Sequence, residues 1–217
     1  SNKNSTLNKS SWIPYKATTL KELTPYLDAM ENYLDLKNPE SAWEIYSGRH
    51  LDRKLFQLGY AKRSMQYGKA FIKSFEDEIW HPGARNLVLL YEYLARACYA
   101  LLLNDETISY CEKQFYAARM TGEKDKVLIY GSILSQMYIT MGLISKAKQL
   151  LKQLEKLAKP MRRCDTKGIY YFSVARMHLF AGNYSRTVKL LQDPLELRGY
   201  NLILQKSELG EALMRSG

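Results

Sequence analysis

The side chains that could perform chemistry in this chain are few, and their spacing matches no common catalytic or metal-binding motif. Histidine and cysteine are frequent metal ligands and nucleophiles. The sequence has three of each, namely His50, His81, His178, Cys98, Cys111 and Cys164. They lack the paired spacing of a zinc site, and neither H-E-x-x-H nor a glycine-rich phosphate loop occurs. We therefore predict no catalytic residue, no metal site and no cofactor, and an enzyme is the least favoured class of protein.

A row of basic residues is the second chemical feature. The lysines of this row step by four, four and three residues, which places them on one face of a helix, and two arginines extend it. We call these residues the basic ridge: Lys148, Lys152, Lys156, Lys159, Arg162 and Arg163. The segment 146–163 holds seven bases and one acid, hence six of the ten net positive charges of the chain. Such a ridge could neutralise nucleic-acid phosphates. A solvated face is the favoured interpretation, because no aromatic residues interleave with the lysines to stack on bases.

The composition is that of an ordinary soluble, folded protein. Of the 217 residues, 46% are hydrophobic and 25% are charged, which excludes a wholly disordered chain. No apolar run approaches the ~18–20 residues of a membrane span, and three scattered cysteines do not build a disulfide framework. We therefore expect a cytoplasmic protein with no membrane partner, whose net charge of +10 favours acidic partners.

The elements that carry these residues are predicted to be helices. Residues 1–17 are polar and are expected to be a tail or linker. Thr24 and Pro25 resemble a helix start, and Asn38-Pro39 resembles a second one. His81-Pro82-Gly83 is the clearest break, and no β-hairpin signature occurs. We expect less regular helical hairpins over residues 18–83.

After this break, an internal repeat with a step of 40 residues appears. Its first helices share an apolar-small-x-x-large pattern, with the small residues at 95, 135 and 175: Leu94-Ala95-x-x-Cys98, Leu134-Ser135-x-x-Tyr138 and Val174-Ala175-x-x-His178. Gly142 and Gly182 are predicted to end the second and third of these helices. A second helix is predicted after each one, over Ile108–Met120, Ile144–Ala158 and Tyr184–Gln192. Cys98, Cys111 and His178 then fall at interior positions, where they pack rather than react.

This pattern resembles the tetratricopeptide repeat (TPR) family, most closely over Leu134–Pro160. The step of 40 exceeds the usual ~34 residues and is similar to long-repeat relatives in bacterial regulators and signal-transducing ATPases. The resemblance implies an all-α, right-handed α-solenoid of antiparallel helix hairpins, with repeats and a terminal helix over residues 84–217.

The resemblance also implies that the first helices line a concave, peptide-binding groove. Arg96, Gln136 and Arg176, each just after a small residue, would face this groove. Further positions expected to be exposed there are Glu92, Tyr99, Ser132, Ile139, Phe172 and Leu179. The arginines could bind carboxylates of an acidic peptide, with Tyr99 and Phe172 as apolar anchors. Alternatively, the arginines pair with Glu92 or with solvent.

Together, these features predict a non-catalytic protein- or peptide-binding scaffold or sensor within a larger bacterial regulatory protein. The alternative is a nucleic-acid-binding regulator that uses the basic ridge. A last repeat-like pattern, Leu209-Gly210-x-x-Leu213, predicts an apolar face at the C-terminal helix. That face would be covered by a further repeat or by a homodimer partner, unless the helix is itself a cap.

Overall fold

The computed structural model describes residues 17–161, 165–192 and 200–216, and every regular element within these ranges is an α-helix. Arg162, Arg163 and Cys164, with residues 1–16 of the expected tail, lie outside them. The eleven helices of the described ranges are α1 Leu20–Asp35, α2 Pro39–Gly48, α3 Leu51–Gln57, α4 Ala61–Glu76, α5 Ala84–Ala100, α6 Asn104–Met120, α7 Lys124–Thr140, α8 Ile144–Ala158, α9 Asp165–Phe180, α10 Tyr184–Gln192 and α11 Tyr200–Ser216. The all-α prediction is confirmed.

The helices form two compact units. Unit 1 comprises residues 1–83 and 96–102, and unit 2 comprises residues 84–95 and 103–217. Helix α5 therefore contributes residues to both units. The predicted domain limits, 1–17, 18–83 and 84–217, stay predictions.

The first helix of unit 1 begins earlier than the sequence pattern suggested. Thr19 is its N-cap, and the carboxylate of Glu22 accepts hydrogen bonds from the backbone N–H of Thr18 and of Thr19, at 2.6 and 3.1 Å. This reciprocal capping satisfies N–H groups that lack a partner inside the helix. Thr24 is therefore not the cap, and Pro25 lies inside the helix. The predicted start at Asn38-Pro39 is correct, because the side chain of Asn38 accepts from the N–H of Ser41 at 3.2 Å.

An aromatic cluster forms the core of unit 1. The ring of Trp43 lies 5.2 Å from that of Phe71 and 5.3 Å from that of Trp80, measured between centroids. Tyr46 packs 5.4 Å from Phe71 and places its hydroxyl 3.0 Å from the Oγ atom of Ser64. All four rings are buried, so large aromatic side chains stabilise a unit with little repeat regularity.

Unit 2 contains the repeating hairpins. Helices α7 and α8 pack as one hairpin and α9 and α10 as the next, and α7 also packs directly on α9. The small residues Ser135 and Ala175 are completely buried. At Gly131 the helices are so close that a Cβ atom would lie 2.8 Å from the Leu154 side chain and 2.9 Å from that of Phe115. Small side chains thus permit close helix approach, as the repeat pattern predicted.

The terminal helix α11 packs on α10 and α9. Ala212 is completely buried, and the side-chain amide of Gln205 donates to the carbonyl of Leu191 at 2.9 Å. Its other face leaves Leu213 47% and Met214 80% exposed. The predicted apolar face therefore exists at this end, and its cover stays a prediction.

The ends of the first helices show one irregularity within an otherwise regular repeat. Gly142 and Gly182 follow α7 and α9 with φ of +73° and +76°, which confirms the prediction that they end these helices. Leu102 occupies the equivalent place after α5 and also has a positive φ, of +58°. Its side chain is 81% exposed. A residue with a Cβ atom pays a steric penalty in this left-handed conformation, whereas glycine does not.

We therefore expect Leu102→Gly to stabilise the protein by roughly 0.5–1 kcal/mol, since it removes this strain at a solvent-exposed site. Chemical denaturation followed by circular dichroism measures the change. Leu102→Ala is the matched control and should bring no such gain, because alanine keeps the Cβ atom. Equal gains from both variants would contradict a strained Leu102.

Candidate binding surfaces

The candidate groove residue of unit 1, Arg96, is already paired. Its Nη1 atom lies 3.3 Å from Oδ2 of Asp52, whose side chain is only 3% exposed. Arg96 therefore has a buried carboxylate, Asp52, as an ion-pair partner. Tyr99 is half exposed, as predicted.

Gln136, the second candidate, is a buried structural residue. Its side-chain amide donates to Oγ of Ser173 at 2.8 Å, and Ser173 lies within hydrogen-bonding distance of the carbonyls of Ser132 and Ile169. These polar groups join α7 to α9. The prediction that Gln136 faces an open groove is wrong, because the next first helix covers it.

Arg176, the third candidate, makes the equivalent contact one repeat later. Its Nε atom lies 2.7 Å from Oε1 of Glu208 on α11, and the two side chains are 18% and 11% exposed. Ser173 and Glu208 each lie two residues before the small position of their repeat, Ala175 and Gly210. Gln136 and Arg176 thus each contact the next first helix, which explains why these two candidates are not free to bind a ligand.

The apolar positions expected in the groove are also buried. Phe172, Ser132 and Ile139 are completely inaccessible, and Leu179 is 7% exposed. The expectation of Phe172 as an exposed anchor is wrong, because α9 packs between α7 and α11 and buries that face.

The structure instead exposes a row that the sequence analysis missed. In unit 2, Thr140 and Phe180, five residues after the small positions Ser135 and Ala175, are exposed. In unit 2, Phe180 is 55% exposed, and the guanidinium carbon of Arg176 lies 5.9 Å from its ring centroid. The constant step of 40 residues was a signal that could have found this row.

The basic ridge is exposed on α8, as its spacing predicted. Lys148, Lys152 and Lys156 are exposed and have no ion-pair partner within the part of the chain that the structure describes. Lys159 pairs with Glu155 at 3.0 Å. Arg162 and Arg163 lie outside the described residues, so three free lysines carry the candidate interface.

The residues singled out for chemistry show no reactive arrangement within the described ranges. Cys98 and Cys111 are buried free thiols, as predicted. His178 is half-buried; burial, and then the positive charges of Arg186 and Lys148, lower its pKa. Among the described residues, no three histidine, cysteine or acidic side chains cluster as a metal site would require. The helices of the described ranges are likewise too short or too polar to cross a bilayer.

Comparison with known proteins identifies the fold. Neither a protein-family model nor a curated protein matches the sequence. Two solved structures of a putative kinesin light chain from Podosopora anserina, described as having nearly identical TPR-like repeats, do match. The fold is TPR-like. The two structures, one of them of a variant with a single substitution, have TM-scores of 0.62 and 0.61 and are each 19% identical to this chain. The alignments cover 81% of this chain and 87% and 88% of theirs.

The buried carboxyl group of Glu208 predicts pH-dependent docking of the terminal TPR-like helix. Burial raises the pKa of Glu208 to about 7, with a further rise from Glu211 and an opposing effect of Arg176. The docked helix therefore binds a proton more tightly than the undocked helix does. The resulting stabilisation is complete below the ordinary pKa of a glutamate and is lost as the pH rises through 7.

Raising the pH from 6 to 8 should thus destabilise the docking of α11, by at most about 1 kcal/mol. Hydrogen exchange of the α11 amides, corrected for the intrinsic pH effect, measures this change. Glu208→Gln cannot titrate and is the matched control, so its protection should be the same at both pH values. If the protection of α11 in the wild-type protein were also the same at both pH values, the raised pKa of Glu208 would be contradicted.

Proposed function

We propose that this chain is a non-catalytic protein- or peptide-binding module that serves as a scaffold or sensor within a larger regulatory protein. Its TPR-like fold supports this proposal, because such repeats generally mediate protein–protein interaction. The similar solved structures are fungal, so the bacterial origin stays a prediction, as does the cytoplasmic location.

The exposed ring of Phe180 beside Arg176 is the observation that carries the proposal. Aromatic and arginine side chains dominate the binding energy of protein interfaces. Here the ring is accessible at the end of a first helix. By contrast, the carboxylate of Glu208 already pairs with the guanidinium of Arg176. We therefore expect the partner to contact Phe180 through an apolar side chain, with acidic groups in a supporting role.

This proposal is tested by selecting, from a displayed library of random peptides, those that bind the purified chain. Phe180→Asp should weaken selected peptides by about tenfold or more, because a charge replaces the apolar anchor. Tyr116→Asp is the matched control, since Tyr116 is a 66% exposed aromatic residue on the second helix α6. Fluorescence anisotropy measures the affinities. Peptides that respond to Tyr116→Asp but not to Phe180→Asp would place the binding surface elsewhere.

Nucleic-acid binding is a second candidate, which the three unpaired lysines of α8 support. Successive turns of one helix place Lys148, Lys152 and Lys156 on the same exposed face. A row of cations with this arrangement suits a phosphate backbone.

If this candidate is right, the triple charge reversal Lys148→Glu, Lys152→Glu and Lys156→Glu abolishes binding of labelled single- or double-stranded DNA. Anisotropy at low and physiological salt should then show a steep salt dependence for the wild-type protein only. Lys21→Glu, Lys62→Glu and Lys69→Glu in unit 1 form a control with the same charge change. No binding by the wild-type protein at low salt would leave the ridge as a solvated face.

A further inference from the structure

A depression of about 590 Å³ lies at the turn between α9 and α10 and is bordered by the end of α11. We call it the anion pocket, and the residues that matter for its chemistry are His178, Asn183, Tyr184, Ser185, Arg186 and Arg215. No acidic side chain of the described residues lines it. Phe180 and the groove candidates Arg96, Gln136 and Arg176 are not among the lining residues.

Positive side chains converge on this pocket from different helices. Arg186 of α10 and Arg215 of α11 line it, and Lys148 of α8 is close enough to His178 to depress the pKa of that imidazole. Glu211 neutralises part of this charge through a 2.8 Å contact with Arg215. The two arginines that line the pocket, less the carboxylate of Glu211, leave a net positive charge of one, which favours an anionic ligand.

The polar groups of the pocket also suit a ligand with several acceptor oxygens. The hydroxyl of Ser185, the amide of Asn183 and the two guanidinium groups all line the same depression. The side chain of Arg186 is exposed. A phosphate group carries close to two charges near neutral pH and offers three acceptor oxygens. Arginine is well suited to bind it in a bidentate manner.

We propose that the anion pocket binds the phosphate group of a phosphorylated serine or threonine side chain on a protein partner. This assignment rests on the proposed function, peptide binding, and names the chemistry of the partner. A nucleic acid fits less well, because the rings among the described lining residues are only those of Tyr184 and His178. The guanidinium of Arg215 lies 5.9 Å from the centroid of the Tyr184 ring, where a base would have to stack.

The bound phosphate has a consequence for His178. Two cations act on it, Arg186 on α10 and Lys148 on α8, and Arg215 of α11, which is paired with Glu211, lines the same pocket. A dianion in the pocket offsets this positive charge and favours the imidazolium form. Phosphate binding therefore raises the pKa of His178.

The first experiment titrates the protein with N-acetyl-O-phosphoserine amide and follows the imidazole signals of His50, His81 and His178 by NMR, assigned with His178→Gln. We expect the pKa of His178 alone to rise. Arg186→Ala with Arg215→Ala should weaken binding by about tenfold or more. Lys189→Ala with Lys206→Ala removes the same charge from the same two helices outside the pocket and should have less than about a twofold effect.

Because Arg215 also contacts Glu211 and Tyr184, its loss could loosen α11. Arg186→Ala alone leaves those contacts in place and should still weaken binding severalfold, with an unchanged circular dichroism spectrum. Equal weakening by the lysine pair, or an unchanged pKa of His178, would overturn the pocket as a specific site.

The second experiment compares sources of the phosphate group by isothermal titration. The probes are a degenerate nine-residue peptide mixture with central phosphoserine, the same mixture with serine, inorganic phosphate and a 5′-phosphorylated hexanucleotide. We expect the phosphopeptides to bind most tightly. Tighter binding of the oligonucleotide, or equal binding of inorganic phosphate, would overturn the assigned partner.

Different results would contradict the proposed function and the phosphate assignment. Peptide binding that depends on Phe180 but not on phosphate or Arg186 would overturn the phosphate assignment and leave the proposed function intact. Binding of phosphoserine amide without binding of any peptide would overturn the proposed function.

Discussion

The close approach of helices at small side chains is the constraint on which the repeat unit depends. Ser135 and Ala175 are completely buried, and a Cβ atom at Gly131 would collide with Leu154 and Phe115. Because these positions carry little volume, successive first helices touch each other rather than standing apart. A larger side chain at any of them would have to push helices away from their neighbours.

This contact between first helices buries the polar groups beside it, which then need partners. Gln136 and Arg176 lie where one first helix meets the next, and a buried polar group without a partner is costly. Ser173 accepts a hydrogen bond from Gln136, and Glu208 supplies an ion-pair partner for Arg176, from equivalent places in the following repeat. Polar side chains between first helices therefore hold the array together. The exposed ring of Phe180 and the turn before α10 lie outside these contacts between first helices.

The abundance of tyrosine has a related explanation. The ring of Tyr46 lies in the core of unit 1 while its hydroxyl is 3.0 Å from Ser64. In unit 2, the hydroxyl of Tyr138 donates to Glu112 at 2.6 Å, and burial together with this contact raises its pKa. A tyrosine can fill space between helices and still satisfy its polar atom at the edge of the core. Composition alone left open whether these rings pack or bind, and these two pack.

The sequence by itself determined the helical architecture. Spacing of small and large residues encodes the second helices Ile144–Ala158 and Tyr184–Gln192, and glycine at 142 and 182 encodes the ends of the helices before them. Such signals are local, since they depend on periodicity and backbone conformation. The start of α1 was missed because two capping signals stand close together, and the Glu22 carboxylate favours Thr19.

Only the tertiary structure decided which side chains are free. Arg96 and Arg176 have the residue type and spacing of ligand-binding groups. However, Asp52 precedes Arg96 by 44 residues in sequence, and Glu208 follows Arg176 by 32 residues. The convergence of His178, Arg186 and Arg215 likewise joins three helices. Periodicity specifies the face of a helix on which a side chain lies, whereas its partner and its exposure depend on the helices that pack against that face.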